Sequence, residues 1–322
     1  MEAINSFIQT IPGSIIFLLL GFVLLIKGAD FFVDGASAVA KKLRVPSVIV
    51  GMTIVAMGTS LPETSVSVTA SIAGANGLAI SNAIGSNIFN LMVVLGVAAL
   101  FAPLVIDDVT LKRDFPISVF CAVLLLILGW IGIKLGHFDG VIFLFCFIAF
   151  MILMVLSALK ARNNTSEEEI AEKTLNTVLC IVFIIGGAIA IKFGGDFVVD
   201  SASNLAIKFG MSETLVGLTI VALGTSLPEL VTSVVAAKKN ELDMAIGNVV
   251  GSNIFNILMV VGIAAAISPI AFIKENIIDI IILCVFSLIV FVFCITKKRI
   301  AKGEGVAMLV MYLAYLVYII LR

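Results

Sequence analysis

The sequence predicts an all-α polytopic membrane protein, with ten transmembrane helices in two inverted-topology five-helix repeats. Three observations carry that expectation. Of 322 residues, 61% are hydrophobic and 13% charged, and the mean hydropathy is +1.24. Soluble domains carry about 25% charged residues, so the chain has too little polar surface to clothe a core of its size in water. Several apolar runs exceed the ~18 residues that a bilayer crossing needs. Finally, residues 28–96 superimpose on 194–262 without a gap at an offset of 166, and match at about half of the positions.

The elements follow in order. A first helix is expected at 11–40; Glu2 and the absence of a basic flank before it argue for a retained helix over a cleaved signal. The next four are expected at 46–73, 79–103, 115–135 and 139–160. The stretch KARNNTSEEEIAEK, 160–173, is the one extended polar linker. Five further helices are expected at 175–206, 212–237, 244–270, 276–296 and 304–321. The chain therefore divides into a first five-helix half (1–160), a short cytoplasmic linker (161–174) and a second half (175–322).

With ten spans the loops alternate between two faces. One face collects most loop cations, among them Lys41, Lys42, Arg44, Lys112, Arg113, Lys238 and Lys239, while the other holds Lys134, Lys208, Lys274 and Arg322. The basic face is expected in the cytoplasm, which puts both termini outside. An odd number of helices per half makes the second copy enter the membrane from the opposite side. Such pairs build a shared site near the midplane.

The duplicated segments are not apolar filler. GADFFVDGASAVAKK aligns with GGDFVVDSASNLAIK, GTSLPE at 58–63 recurs at 224–229, and GSNIFN at 85–90 recurs at 251–256. A carboxylate in hydrocarbon costs about 2.5–3.5 kcal/mol on insertion scales, and Glu63 and Glu229 lie deep in their spans. A structural carboxyl, protonated or paired, is the plainer reading, but the same polar company surrounds both copies. Thr59 and Glu63 are four residues apart and share a helix face, with Ser60 on the neighbouring stripe; Thr225, Ser226 and Glu229 repeat this. Pro62 and Pro228 should kink their helices and turn backbone carbonyls toward a cavity. Ser86 with Asn90, and Ser252 with Asn256, add a second oxygen-bearing face. Asn82 and Asn248 could extend the lining, whereas Asn87 and Asn253 fall about 100° away and could instead bond a neighbouring helix. Asp30, Asp34, Asp196 and Asp200 recur near the ends of the first and sixth helices, either as ion-attracting vestibules or as solvated helix ends.

The set holds no imidazole or thiolate. Hard oxygen ligands suit Ca²⁺, Mg²⁺, Mn²⁺ or alkali cations and disfavour zinc or copper. Cys121, Cys146, Cys180, Cys284 and Cys294 sit unpaired in apolar runs and read as small packing residues. A net charge of −1, without a basic tract, calls for no nucleic-acid partner; the lipid bilayer is the expected surrounding.

GTSLPE in two copies, each followed by GSN-x-x-N, resembles the repeats of the sodium/calcium exchangers of the Ca²⁺:cation antiporter superfamily, prokaryotic type. The resemblance spans nearly the whole chain. It implies a transporter, not an enzyme, in a prokaryotic plasma membrane. Ca²⁺ and Na⁺ would be its transported partners, with no cofactor beyond these ions. It implies ion sites between the second, third, seventh and eighth helices, and alternating access by sliding of the first and sixth. Carried over, the ligands are Glu63, Thr59, Ser86 and the Ala56 carbonyl, then Glu229, Thr225, Ser252 and the Ala222 carbonyl. Asn90 and Asn256 hold the central places, and Ser60 and Ser226 stand beside the glutamates. Some members carry an aspartate at one central place; two asparagines here weaken K⁺ co-transport. Proton-coupled members carry GN-x-TE in place of GTSLPE, so Na⁺ is the expected counter-ion over H⁺. A divalent exchanger coupled to H⁺ or K⁺, and a gated cation channel, are the competing readings.

Overall fold

The computed structural model describes residues 10–164, 175–211, 220 and 222–321. The flank at 1–9 on which the retained-helix expectation rests, most of the linker, and the start of the seventh expected helix lie outside these residues.

Helix α1 (Ile11–Leu43) opens on Thr10, whose hydroxyl accepts the Gly13 N–H at 3.1 Å, and closes on Arg44 in the left-handed region. Helix α2 runs in segments from Ser47 to Ile72, and α3 spans Asn76–Phe101. Strand β1 (Leu104–Val105) precedes α4 (Phe115–Trp130), and β2 (Lys134–Leu135) precedes α5 (His137–Asn164). The second half supplies α6 (Thr177–Lys208), α7 (Leu227–Lys238) behind the short turn Ala222–Gly224, and α8 (Leu242–Ile267). It ends with β3 (Ile270–Ala271), α9 (Lys274–Lys297), β4 (Arg299–Ile300) and α10 (Lys302–Leu321). Among the described residues, α1, α3, α5, α6, α8, α9 and α10 are long and apolar enough to cross a membrane.

Helices α3 and α8 form the centre: 72% and 78% of their apolar windows are buried, against 28% for α1 and α6. The outer pair packs antiparallel along its length through glycine. A Cβ on Gly21 would lie 2.8 Å from the Gly194 carbonyl oxygen, and one on Gly187 would lie 2.8 Å from that of Gly28. Backbones this close tolerate no side chain, which is how small residues join membrane helices.

Three differences from the expected elements have physical causes. Helix α5 continues to Asn164, so the polar linker begins later than 161; polar residues can prolong a helix beyond an apolar run, since its hydrogen bonds are local. The fourth helix ends at Trp130, and residues to 135 form a turn and strand. The strands themselves carried no sequence signal, being two residues long: β1 pairs antiparallel with β4 and β2 with β3, each joining one half to the other.

Candidate ion-binding site

The expected kinks occur just before the prolines. The backbone breaks at Ser60 (φ −84°, ψ 10°), and a new helical segment starts at Leu61 with Pro62 in its first turn. There a missing N–H costs nothing. Ser226 repeats the break with φ −94°, ψ 4°. Each break sets the following glutamate, Glu63 or Glu229, in the first turn of a new helical segment, where the macrodipole favours an anion. Both glutamates are fully buried.

The two halves then trade partners. Ser60 donates to Glu229 Oε1 at 2.9 Å, and Ser226 donates to Glu63 Oε1 at 3.2 Å. The serines were placed beside the glutamate of their own helix; the fold gives each to the other half's glutamate. Thr59 likewise donates to Asn248 Oδ1 at 3.1 Å and Thr225 to Asn82 Oδ1 at 3.3 Å. The Asn82 amide bonds Ser67 Oγ at 3.0 Å, and the Asn248 amide bonds Ser233 Oγ at 2.9 Å. Ser67 and Ser233 were missed in the sequence, although each lies four residues beyond its glutamate on the same helix face.

Asn87 and Asn253 bond the neighbouring helix, as expected. Each amide donates to the other's backbone carbonyl, at 3.1 and 3.3 Å, clasping α3 to α8. Asn90 and Asn256 stand where each helix widens into a π turn, Asn90–Val94 and Asn256–Val261, a distortion frequent at functional sites. The Ala56 carbonyl already accepts the Ser60 N–H at 3.0 Å, and the Thr59 hydroxyl lies 3.3 Å from it. Ala222 lies in the short turn before Thr225.

Several oxygens of this cage have no hydrogen-bond donor: Glu63 Oε2, Glu229 Oε2, Ser86 Oγ, Asn90 Oδ1 and Asn256 Oδ1. Ser252, by contrast, reaches Glu229 Oε1 at 3.4 Å. A buried oxygen left unmatched costs about 1–3 kcal/mol, more when charged. A cation with a flexible shell of six to eight oxygens at about 2.3–2.6 Å would compensate that deficit.

Fold and site together define a polytopic membrane protein with a buried all-oxygen cage between two repeated halves. Comparison with known proteins agrees. The model of the family described as sodium/calcium exchanger protein matches residues 13–156 and 179–321. The chain is 33% identical to "Sodium/calcium exchanger MaX1" of Methanosarcina acetivorans, over 95% of this chain and 98% of that protein. It is 38% identical to "Inner membrane protein YrbG" of Escherichia coli, over 78% and 79% of the two chains. A solved structure of the sodium-calcium exchanger NCX_Mj, soaked with Na⁺ and Sr²⁺, superimposes with a TM-score of 0.84 at 31% identity, covering 96% of this chain and 99% of that one. The chain belongs to the sodium/calcium exchanger family, a family of membrane ion exchangers and not of enzymes.

Proposed function

We propose that this protein exchanges Ca²⁺ for Na⁺ across a prokaryotic plasma membrane, by alternating access to the buried cage. Glu63 and Glu229 carry the charge. Thr59, Thr225, Ser60, Ser226, Ser86, Ser252, Asn90 and Asn256, with the Ala56 and Ala222 carbonyls, complete the shell. The observation that carries this reading is the pair of fully buried carboxylates, each with one oxygen held by a serine of the other half and one oxygen without a donor. Two carboxylates balance one divalent ion or two monovalent ones, so the same oxygens can serve either cargo in turn.

The ten-helix inverted repeat, with both termini outside, is part of the proposal. Its support is geometric. Helices α1 and α6, equivalent at the 166-residue offset, run antiparallel. Strands β1 and β3 are equivalent at the same offset, yet β1 precedes α4 whereas β3 pairs with β2, which follows it. Equivalent loops thus sit at opposite ends of the bundle. The division into halves at 1–160 and 175–322 rests on the same repeat.

The test is ⁴⁵Ca uptake into proteoliposomes under separately imposed Na⁺, K⁺ and H⁺ gradients. Saturable uptake driven by an outward Na⁺ gradient alone is expected. Equal uptake under a pH gradient without Na⁺ would replace Na⁺ by H⁺ as counter-ion, and uptake that requires K⁺ would add it. Flux that never saturates would favour a channel.

A further inference from the structure

The cross-half bonds of the two hexapeptides obey the 166-residue symmetry, but the surroundings of the two gate-like helices do not. The α7–α8 turn (239–241) and the α2–α3 turn (73–75) share one backbone form, with Asn240 at φ 65° and Gly74 at φ 75°. Their side chains differ completely: Lys239, Asn240 and Glu241 stand opposite Ala73, Gly74 and Ala75. The Lys239 ammonium lies 2.6 Å from both Asp30 Oδ1 and Asp34 Oδ1 of α1, and donates to the Asp30 carbonyl at 2.9 Å. Ser37, one turn on, donates to Glu241. Burial alone would lower the Lys239 ammonium, but its hydrogen bonds to Asp30 and Asp34 outweigh that and hold it above its ordinary value.

On the α6 side no such tie can form to the equivalent turn, because alanine carries no charge. Asp196 pairs instead with Lys192 of its own helix, at 2.6 Å. Beside it a cavity of about 260 Å³ reaches Pro62, Thr225 and Pro228 at the helix breaks, past Asp196, Asp200 and Val199. The equivalent approach along α1 is packed: Ala29, Val33 and Thr59 are fully buried.

We propose that Lys239, held between Asp30 and Asp34, is an ionic latch that keeps α1 closed over the cage at the α7–α8 end, leaving the α6 side as the one open to ions. The latch rests on the alternating-access reading above and extends it: opening toward the α7–α8 end requires both ion pairs to part. Among the described residues no equivalent tie joins α6 to the 73–75 turn, so loss of the latch shifts the balance between the two open forms in a known direction.

The experiment reads accessibility and not transport. Val33→Cys and Val199→Cys report the two approaches to a membrane-impermeant thiol reagent in oriented proteoliposomes, with the unsubstituted protein as background. With the latch intact, Val199→Cys should react and Val33→Cys should not. Lys239→Gln should raise Val33→Cys modification from the α7–α8 side roughly three- to tenfold and slow that of Val199→Cys. Lys239→Arg should hold the original rates. Exchanging the charges, Lys239→Asp with Asp34→Lys, should restore them. Asp34→Asn, which leaves Asp30 in place, should fall between and serves if Lys239→Gln does not fold. Equal rates with and without the lysine overturn the latch. Because no flux is needed, a failed latch leaves the exchange reading standing, and a failed Na⁺ or Ca²⁺ flux leaves the latch testable.

Discussion

The cage and the gate helices lie side by side and obey different rules. Among the described residues, each cross-half bond from a hexapeptide has its mate: Ser60 to Glu229 and Ser226 to Glu63, Thr59 to Asn248 and Thr225 to Asn82. At the gates, the same repeat gives a lysine clamped by two aspartates at one end and three uncharged residues at the other. Symmetry is kept in the bonds that hold the two glutamates. On the proposed exchange mechanism it is abandoned where one open side is favoured over the other. A perfectly symmetric gate pair would give neither side an energetic preference.

The strongest way to break this comparison is to remove one charge from the cage. Glu63→Gln or Glu229→Gln should lower Na⁺-dependent ⁴⁵Ca uptake by about two orders of magnitude or more, since one lost partner of a buried charge cluster costs about 3–5 kcal/mol. Uptake that survives in both variants would sink the ion-binding assignment. The symmetry itself is sharpened by the next pair. Ser60→Ala and Ser226→Ala each remove a hydrogen bond to a carboxylate, worth about 1.5–3 kcal/mol, and should weaken apparent Ca²⁺ affinity by about tenfold or more. Because each serine serves the opposite glutamate, the two effects should be similar. A large loss in one and none in the other would mean that the halves do not share the load.

The smallest expected effect falls on stability. Asn87→Ala breaks the clasp to α8: the Asn253 carbonyl keeps only the Asn256 backbone N–H, and the Asn256 amide, which donates to Asn87 Oδ1 at 3.1 Å, loses its partner. Asn253→Ala spares the Asn256 bond. Asn87→Ala should therefore lower the melting temperature of the detergent-solubilised protein further, by an amount matching about 1–3 kcal/mol. An unchanged melting temperature would show that the clasp contributes no stability.

Much of this was readable without coordinates, for a physical reason. A carboxylate, a proline and hydroxyls deep in an apolar span are costly, so their recurrence in one register marks a shared task rather than chance. Glu63, Glu229 and their neighbours were found that way. The exchange of serines between halves was not readable, because spacing along one helix says nothing about which helix faces it. Ser67 and Ser233 escaped for a related reason: a serine in a membrane helix is unremarkable until an asparagine from another helix bonds it. The two-residue strands and the π turns at Asn90 and Asn256 leave no periodic pattern to detect.

Composition, apolar run lengths and the 166-residue repeat by themselves determined a membrane protein of two similar halves with an acid in each. Those are properties of the chain taken locally, or compared with itself. Only the tertiary structure decided that each glutamate is held by the other half, that Asn87 and Asn253 bind helices together, and that Lys239 ties α1 at one end alone. Those contacts join residues 163 to 209 positions apart, and their geometry is set by how the helices pack.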